Sequence, residues 1–253
     1  VIIETRAEDE FKLTPEALAA KITPRTKALI LPYPCNPTGA IMEKEDLEKI
    51  AAVLRDTNIL VISDEIYAEL TFGGKPHVSI ASIPGMWERT LVVGGFSKTF
   101  SMTGWRLGYA CGPQEILKQM TKIHQFAIMC APTTSQYAAI TAMTSCEEMV
   151  AEMRDEYDAR RRIMVDGFNK IGLTCRDPKG AFYAFPSIQS SGLSSDDFCQ
   201  RLLEEKHVAV VPGTAFGQGG EGFVRASYCY STEHIKEAIN RIEAFLKDLK
   251  THR

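Results

Sequence analysis

Residues 90–108 read Thr-Leu-Val-Val-Gly-Gly-Phe-Ser-Lys-Thr-Phe-Ser-Met-Thr-Gly-Trp-Arg-Leu-Gly. The stretch opens on a continuous apolar run, the pattern of a parallel strand covered on both faces. The glycines and hydroxyls that follow end the strand and leave Lys98 at its mouth. A lysine in that place is poorly solvated, which lowers its pKa and leaves more of it as neutral, nucleophilic amine. Arg106, eight residues further on, pushes in the same direction and can hold an anion. Taken alone, a Ser-Lys dipeptide reads as an exposed loop, because lysines are rarely buried.

Working outward, residues 27–31 and 59–62 are further apolar strands, and 107–111 is another. Between them, Thr14 can cap a helix that has Pro15 in its first turn. Residues 44–55 carry Leu47, Ile50, Ala51 and Leu54 on one helical face. Strands alternating with helices imply right-handed crossovers and a mostly parallel α/β sheet flanked by helices. Such sheets bind ligands beyond the carboxyl ends of their strands. The second half changes character, with a long charged helix over 147–171, strands at 182–185, 208–211 and 223–227, and helices at 194–206 and 232–249. That mix predicts two domains, a larger one over 1–147 and a smaller C-terminal α+β domain over 148–253.

The chain has 253 residues, a net charge of −3, 45% hydrophobic and 24% charged residues. These values are those of a globular protein long enough to bury a core. No basic block marks a nucleic-acid partner. No apolar run approaches the roughly 20 residues of a membrane span. Seven cysteines without Cys-x-x-Cys spacing argue against a disulfide framework or a zinc site, and for reduced thiols in the cytoplasm. The chain opens at Val1 on Val-Ile-Ile-Glu, as a strand already under way, without an initiator Met or a signal-peptide layout. The expectation is a chain lacking its N-terminal portion.

Three other features fall where a ligand should bind. Ser63-Asp64-Glu65-Ile66-Tyr67 follows the strand at 59–62. Asp64 there can keep a pyridine nitrogen protonated or cap a helix, and Tyr67 can bond a ring oxygen or pack in the core. Asn36-Pro37-Thr38-Gly39 is either an ordinary turn or the source of an amide donor, Asn36. Arg225 lies in the strand at 223–227, where its planar fork suits a carboxylate, unless the position is an exposed edge.

In this order along one chain, these elements resemble the class I/II pyridoxal-phosphate-dependent aminotransferases of fold type I. Gly180-Ala181-Phe182-Tyr183 and the run 212–217 also look like family segments, so the likeness covers essentially the whole chain. Met102-Thr103-Gly104-Trp105-Arg106-Leu107-Gly108-Tyr109 is similar to the bacterial-type subgroup that holds aspartate and prephenate aminotransferases. The resemblance implies pyridoxal 5'-phosphate as cofactor. It implies Lys98 as the catalytic Schiff-base lysine and proton shuttle, with Asp64 on the pyridinium nitrogen. It places Asn36 and Tyr67 on the ring oxygen, Arg106 with Ser97 on the phosphate, and Arg225 with Asn36 on the substrate carboxylate. The implied partners are an L-amino acid, a 2-oxo acid and a second copy of the enzyme, with no metal. A C–S β-lyase of the same fold and a catalytically silent fragment are the alternatives. Two departures stand out: Gly95 sits where many relatives carry a phosphate-binding serine, and relatives have a further N-terminal portion.

Overall fold

A computed structural model of the chain describes residues 1–251. It divides into two compact units. The first comprises Val1–Ile3, Lys12–Cys35 and Ile41–Arg154; the second comprises Glu4–Phe11, Asn36–Ala40 and the chain from Asp155 onward.

The first unit is built on a four-stranded sheet of order β1-β2-β3-β4, where β1 is Ala28–Pro32, β2 Leu60–Asp64, β3 Thr90–Gly95 and β4 Gly108–Cys111. The first three strands run parallel, and β4 pairs antiparallel to β3. Helix α1 (Pro15–Ala19) starts as its sequence demands, with Thr14 Oγ1 accepting from the Ala17 N–H at 3.2 Å. Helix α2 (Lys44–Leu54) begins on a reciprocal cap in which the Glu43 N–H donates to Asp46 Oδ2 at 3.0 Å. Its apolar stripe buries Ile50 and Leu54 completely, and each such side chain stabilises the unit by roughly 1.5–3 kcal/mol.

A short α3 (Phe96–Thr99) follows β3, and three longer helices come after β4: α4 (Gln114–Ala127), α5 (Thr133–Ser145) and α6 (Glu147–Lys170). Neither α4 nor α5 was expected from the sequence. Helix α5 buries only Ser135, Ala139 and Ala142, so its contact face carries no row of large apolar residues to reveal a period. Helix α4 buries none of its residues and turns Ile123 and Phe126 outward, at 72% and 95% exposure.

The second unit holds a three-stranded antiparallel sheet of order β5-β7-β6, with β5 at Tyr183–Ala184, β6 at Val211–Pro212 and β7 at Val224–Ser227. Helices α7 (Ser195–Lys206) and α8 (Thr232–Thr251) pack through Phe198 and Phe245, edge to face at 5.4 Å. Phe185 and Phe223 stack at 5.1 Å, and Phe11 meets both edge-on. Buried Arg161 on α6 is neutralised by Asp158 and Asp177. The strand expected at 208–211 is corrected: residues 208–210 form no regular structure, and only Val211 and Pro212 pair with β7. Apolar content marked that segment, and the register of β7 decided which residues found a partner.

Candidate functional site

Parallel pairing aligns the ends of the first three strands. Pro32 lies opposite Asp64, and Asp64 lies opposite Val93. Strand alternation then sorts the side chains of β2: Val61, Ser63 and Glu65 are buried, while Ile62 and Asp64 are half-buried on the opposite face. Asp64 Oδ1 accepts from the Ile66 N–H at 3.2 Å. The chain continues through a tight turn, with Ala68 N–H donating to Glu65 O at 3.0 Å and Leu70 N–H to Tyr67 O at 2.9 Å. The turn carries the buried Tyr67 ring to within 6.0 Å of Lys98 Nζ.

Lys98 is half-exposed on α3, directly past the end of β3. Its loop is held from beneath. Phe96 and Met102 cluster with Ala139 and Ala142 of α5, and Phe96 stacks on Phe100 at 5.7 Å. Ser135 on α5 donates its hydroxyl to Trp105 O at 2.7 Å, fixing the far end of the loop beside Arg106. Arg106 adopts a left-handed backbone, φ 51°, a conformation uncommon for a non-glycine residue. Its side chain is exposed, and Nη1 donates to Thr103 O at 2.7 Å. Ser97 is half-exposed on the same short helix as Lys98. Gly95 is extended, and a Cβ there would stand 3.0 Å from Ile66 Cδ1 and 3.3 Å from Gly108 Cα. A side chain at that position therefore requires Ile66 or β4 to give by a few tenths of an ångström.

The second unit brings Asn36 and Arg225 together. Arg225 Nη1 donates to Asn36 Oδ1 at 2.8 Å, and the guanidinium lies 4.5 Å from the Tyr183 ring centre and 4.9 Å from that of Phe216. The turn bearing Asn36 is docked by its Gly39 carbonyl, which accepts from the Lys179 and Gly180 N–H groups at 2.9 Å each. Gly39 has φ +69°, and a Cβ there would strike the Pro178 side chain. Both facts require glycine.

The site residues thus fall into two sets, each assembled within its own unit: Asp64, Tyr67, Ser97, Lys98 and Arg106 in the first, Asn36 and Arg225 in the second. Sequence reasoning missed the aromatic faces of Tyr183 and Phe216 on Arg225. It also missed a buried cluster at Glu65. Ser63 and Ser79 donate their hydroxyls to Glu65 Oε1 at 2.8 and 2.6 Å, and His77 Nε2 stands 2.9 Å from Oε2. The His77 contact is close, but Nε2 makes no hydrogen bond of regular geometry. Burial pushes the Glu65 carboxyl up, but His77, Ser79 and Ser63 outweigh it and hold the group below the ordinary glutamate range. The period of two from Ser63 to Glu65 was the available signal.

Residues 1–242 match the family described as aminotransferase class I and II. A putative aminotransferase of Bacillus subtilis, YugH, is 48% identical over 246 residues, covering 97% of this chain and 64% of its own length. An aspartate aminotransferase of Pyrococcus abyssi is 46% identical over 252 residues, covering 99% of this chain and 65% of its own. The crystal structure of an aromatic aminotransferase from Pyrococcus horikoshii superposes with a TM-score of 0.97 at 47% identity, over 99% of this chain and 68% of the other. The chain therefore spans about two thirds of the length of the curated relatives it matches.

Proposed function

The chain belongs to the class I and II aminotransferase family, and from that membership we propose that the enzyme built on it transfers an amino group between an L-amino acid and a 2-oxo acid, with Lys98 as its catalytic residue. Members of the family use pyridoxal 5'-phosphate. The donor set fits that group: a lysine amine over a phenol ring, a carboxylate at the adjacent strand end, and an arginine and a serine hydroxyl within one loop. When bound, the cofactor supplies an electron sink for the carbanion left when the α-proton is removed.

The chain's own residues do the rest. Lys98 Nζ takes the α-proton and returns it, acting as a positioned general acid–base. The Asp64 carboxylate would keep the cofactor's ring nitrogen protonated. By the family resemblance, Tyr67 O–H and the Asn36 amide would each donate to the cofactor's ring oxygen. Arg106, with Ser97, holds the phosphate, for which the Arg106 side chain gives up its contact with Thr103 O. Arg225 binds the substrate carboxylate through its planar fork, with Asn36 fixing one guanidinium nitrogen.

The observation that carries this reading is the meeting of Lys98 with Tyr67, beside Asp64, at the aligned strand ends. It is tested by adding pyridoxal phosphate, reducing with borohydride and mapping the modified peptide. The expected adduct is on Lys98, with amino transfer to added pyruvate or 2-oxoglutarate by the full-length protein. Release of pyruvate and ammonia from cystathionine, without amino transfer, overturns the transferase reading in favour of a lyase.

The proposal extends to organisation. Residues 1–147 act as part of the cofactor-binding domain and 148–253 as the small domain. The working enzyme is a homodimer, an assembly that the outward apolar residues Ile123, Phe126, Tyr137 and Met143 favour. Its seven free thiols favour the reducing cytoplasm.

A further inference from the structure

Among the described residues, Glu65 is an acidic side chain that reaches the core, at 9% exposure, and none of the roles proposed above uses it. It sits between Asp64 and Tyr67 in the chain and points to the opposite face from Asp64. Every polar group it owns is engaged. Its N–H donates to Val93 O at 2.8 Å, one step beyond the regular β2–β3 pairing, and its carbonyl accepts from Ala68. Its carboxylate takes Ser63 and Ser79 on one oxygen and faces His77 on the other. Ser79 and His77 arrive from the segment that leads into β3, so the cluster ties the end of β2 to that segment.

A buried carboxylate is a poor way to gain stability alone, since apolar residues of similar volume often replace buried ionic groups at no loss. Apolar contact is also non-directional. A carboxylate that accepts two hydroxyls on one oxygen and meets an imidazole on the other fixes the rotation of the turn as well as its depth, and that rotation decides where Asp64 and Tyr67 face Lys98. We propose that Glu65, with His77, is a positioning pair that sets Asp64 and Tyr67 for the cofactor at Lys98. This rests on the aminotransferase reading.

The experiment uses the full-length protein, wild type and variants, and measures pyridoxal phosphate affinity by fluorescence and the visible circular dichroism of the bound cofactor, well below each melting temperature. Glu65→Leu is expected to weaken cofactor binding about tenfold and to cut the visible dichroism by about half, as misplacement of contacting groups does. Glu65→Gln keeps an acceptor for both hydroxyls and is expected to recover most of each signal. A Glu65→Leu protein that melts lower but binds within about twofold of wild type, with unchanged dichroism, overturns the proposal and leaves Glu65 a structural anchor. Should that variant not fold, His77→Phe and Ser79→Ala each remove a single contact. Both are expected to weaken binding about threefold and change the dichroism, and unchanged values in both overturn the proposal. A wild type that forms no adduct on Lys98 overturns the aminotransferase reading and this inference together. A wild type that forms it while the variants stay unaffected overturns the inference alone.

Discussion

Glu65 and Arg225 are charged side chains at strands of the two units, and their surroundings treat them in opposite ways. Glu65 is buried and faces two hydroxyls and an imidazole, so its carboxylate has little capacity left for a ligand. Arg225 is half-exposed, its guanidinium lies against the rings of Tyr183 and Phe216, and its hydrogen bond runs to Asn36. A guanidinium has five N–H donors, and aromatic faces steady it without consuming any of them in the plane. The contrast separates two uses of charge: a saturated group fixes its own surroundings, and a steadied but unsaturated group is ready for something else.

The largest effect is expected where that spare capacity is removed. Arg225→Lys keeps the charge and loses the planar fork, so the KM for the amino acid should rise about 10- to 100-fold, the worth of one or two charge-assisted hydrogen bonds. Steady-state kinetics should show kcat moving less than KM, and the melting temperature should barely move. A fallen melting temperature with an unchanged KM would place Arg225 with Glu65, as a residue that serves the fold.

A smaller effect, visible in stability, belongs to Glu65. Its folded pKa lies below the unfolded value, so its stabilisation is fully present above the ordinary glutamate range and fades as pH falls through the lower folded value. Glu65→Gln removes that titration. The melting-temperature gap between wild type and variant should be widest near neutrality and narrow as pH falls through and below the ordinary glutamate range. A gap that is constant across that window breaks the claim that the carboxylate is held charged by its donors.

The sequence-based reading succeeded where side chains repeat with the period of their element. Residues 27–31, 59–62 and 90–93 overlap β1, β2 and β3, and the helices at 44–55 and 147–171 match α2 and α6 within one residue at each end. It failed at α5, whose contacts are made by serine and alanine, and at α4, whose apolar residues face outward. Lys98, Asp64, Tyr67, Asn36 and Arg225 were singled out as candidates by residue type and placement in or beyond strands, and only the family resemblance joined them into one site. Their supports were not, because Ser79 and His77 reach Glu65 from 14 and 12 residues away through a fold that only the coordinates supply. Tyr183 and Phe216 reach Arg225 the same way.

The Lys98 loop lies between the two extremes, and Gly95 tests how much room it has. A Cβ at Gly95 would press Ile66 Cδ1, the free end of a flexible side chain, and would come to 3.3 Å from the Gly108 backbone. Overpacking of that kind costs about 1–3 kcal/mol when nothing yields. The backbone at Gly95 is extended, with φ −178°, a conformation any residue adopts. Replacing a glycine in such a conformation therefore returns about 0.4–1 kcal/mol by restricting the unfolded chain. Because Ile66 can shift by a few tenths of an ångström, the two terms should nearly offset, and Gly95→Ser should change the melting temperature by no more than about 2–4 °C. Within that range, the loop has space for a hydroxyl that this chain does without. A larger loss means that β4 excludes a side chain there, and the loop then belongs with Glu65 as a region whose capacity is already spent on the fold.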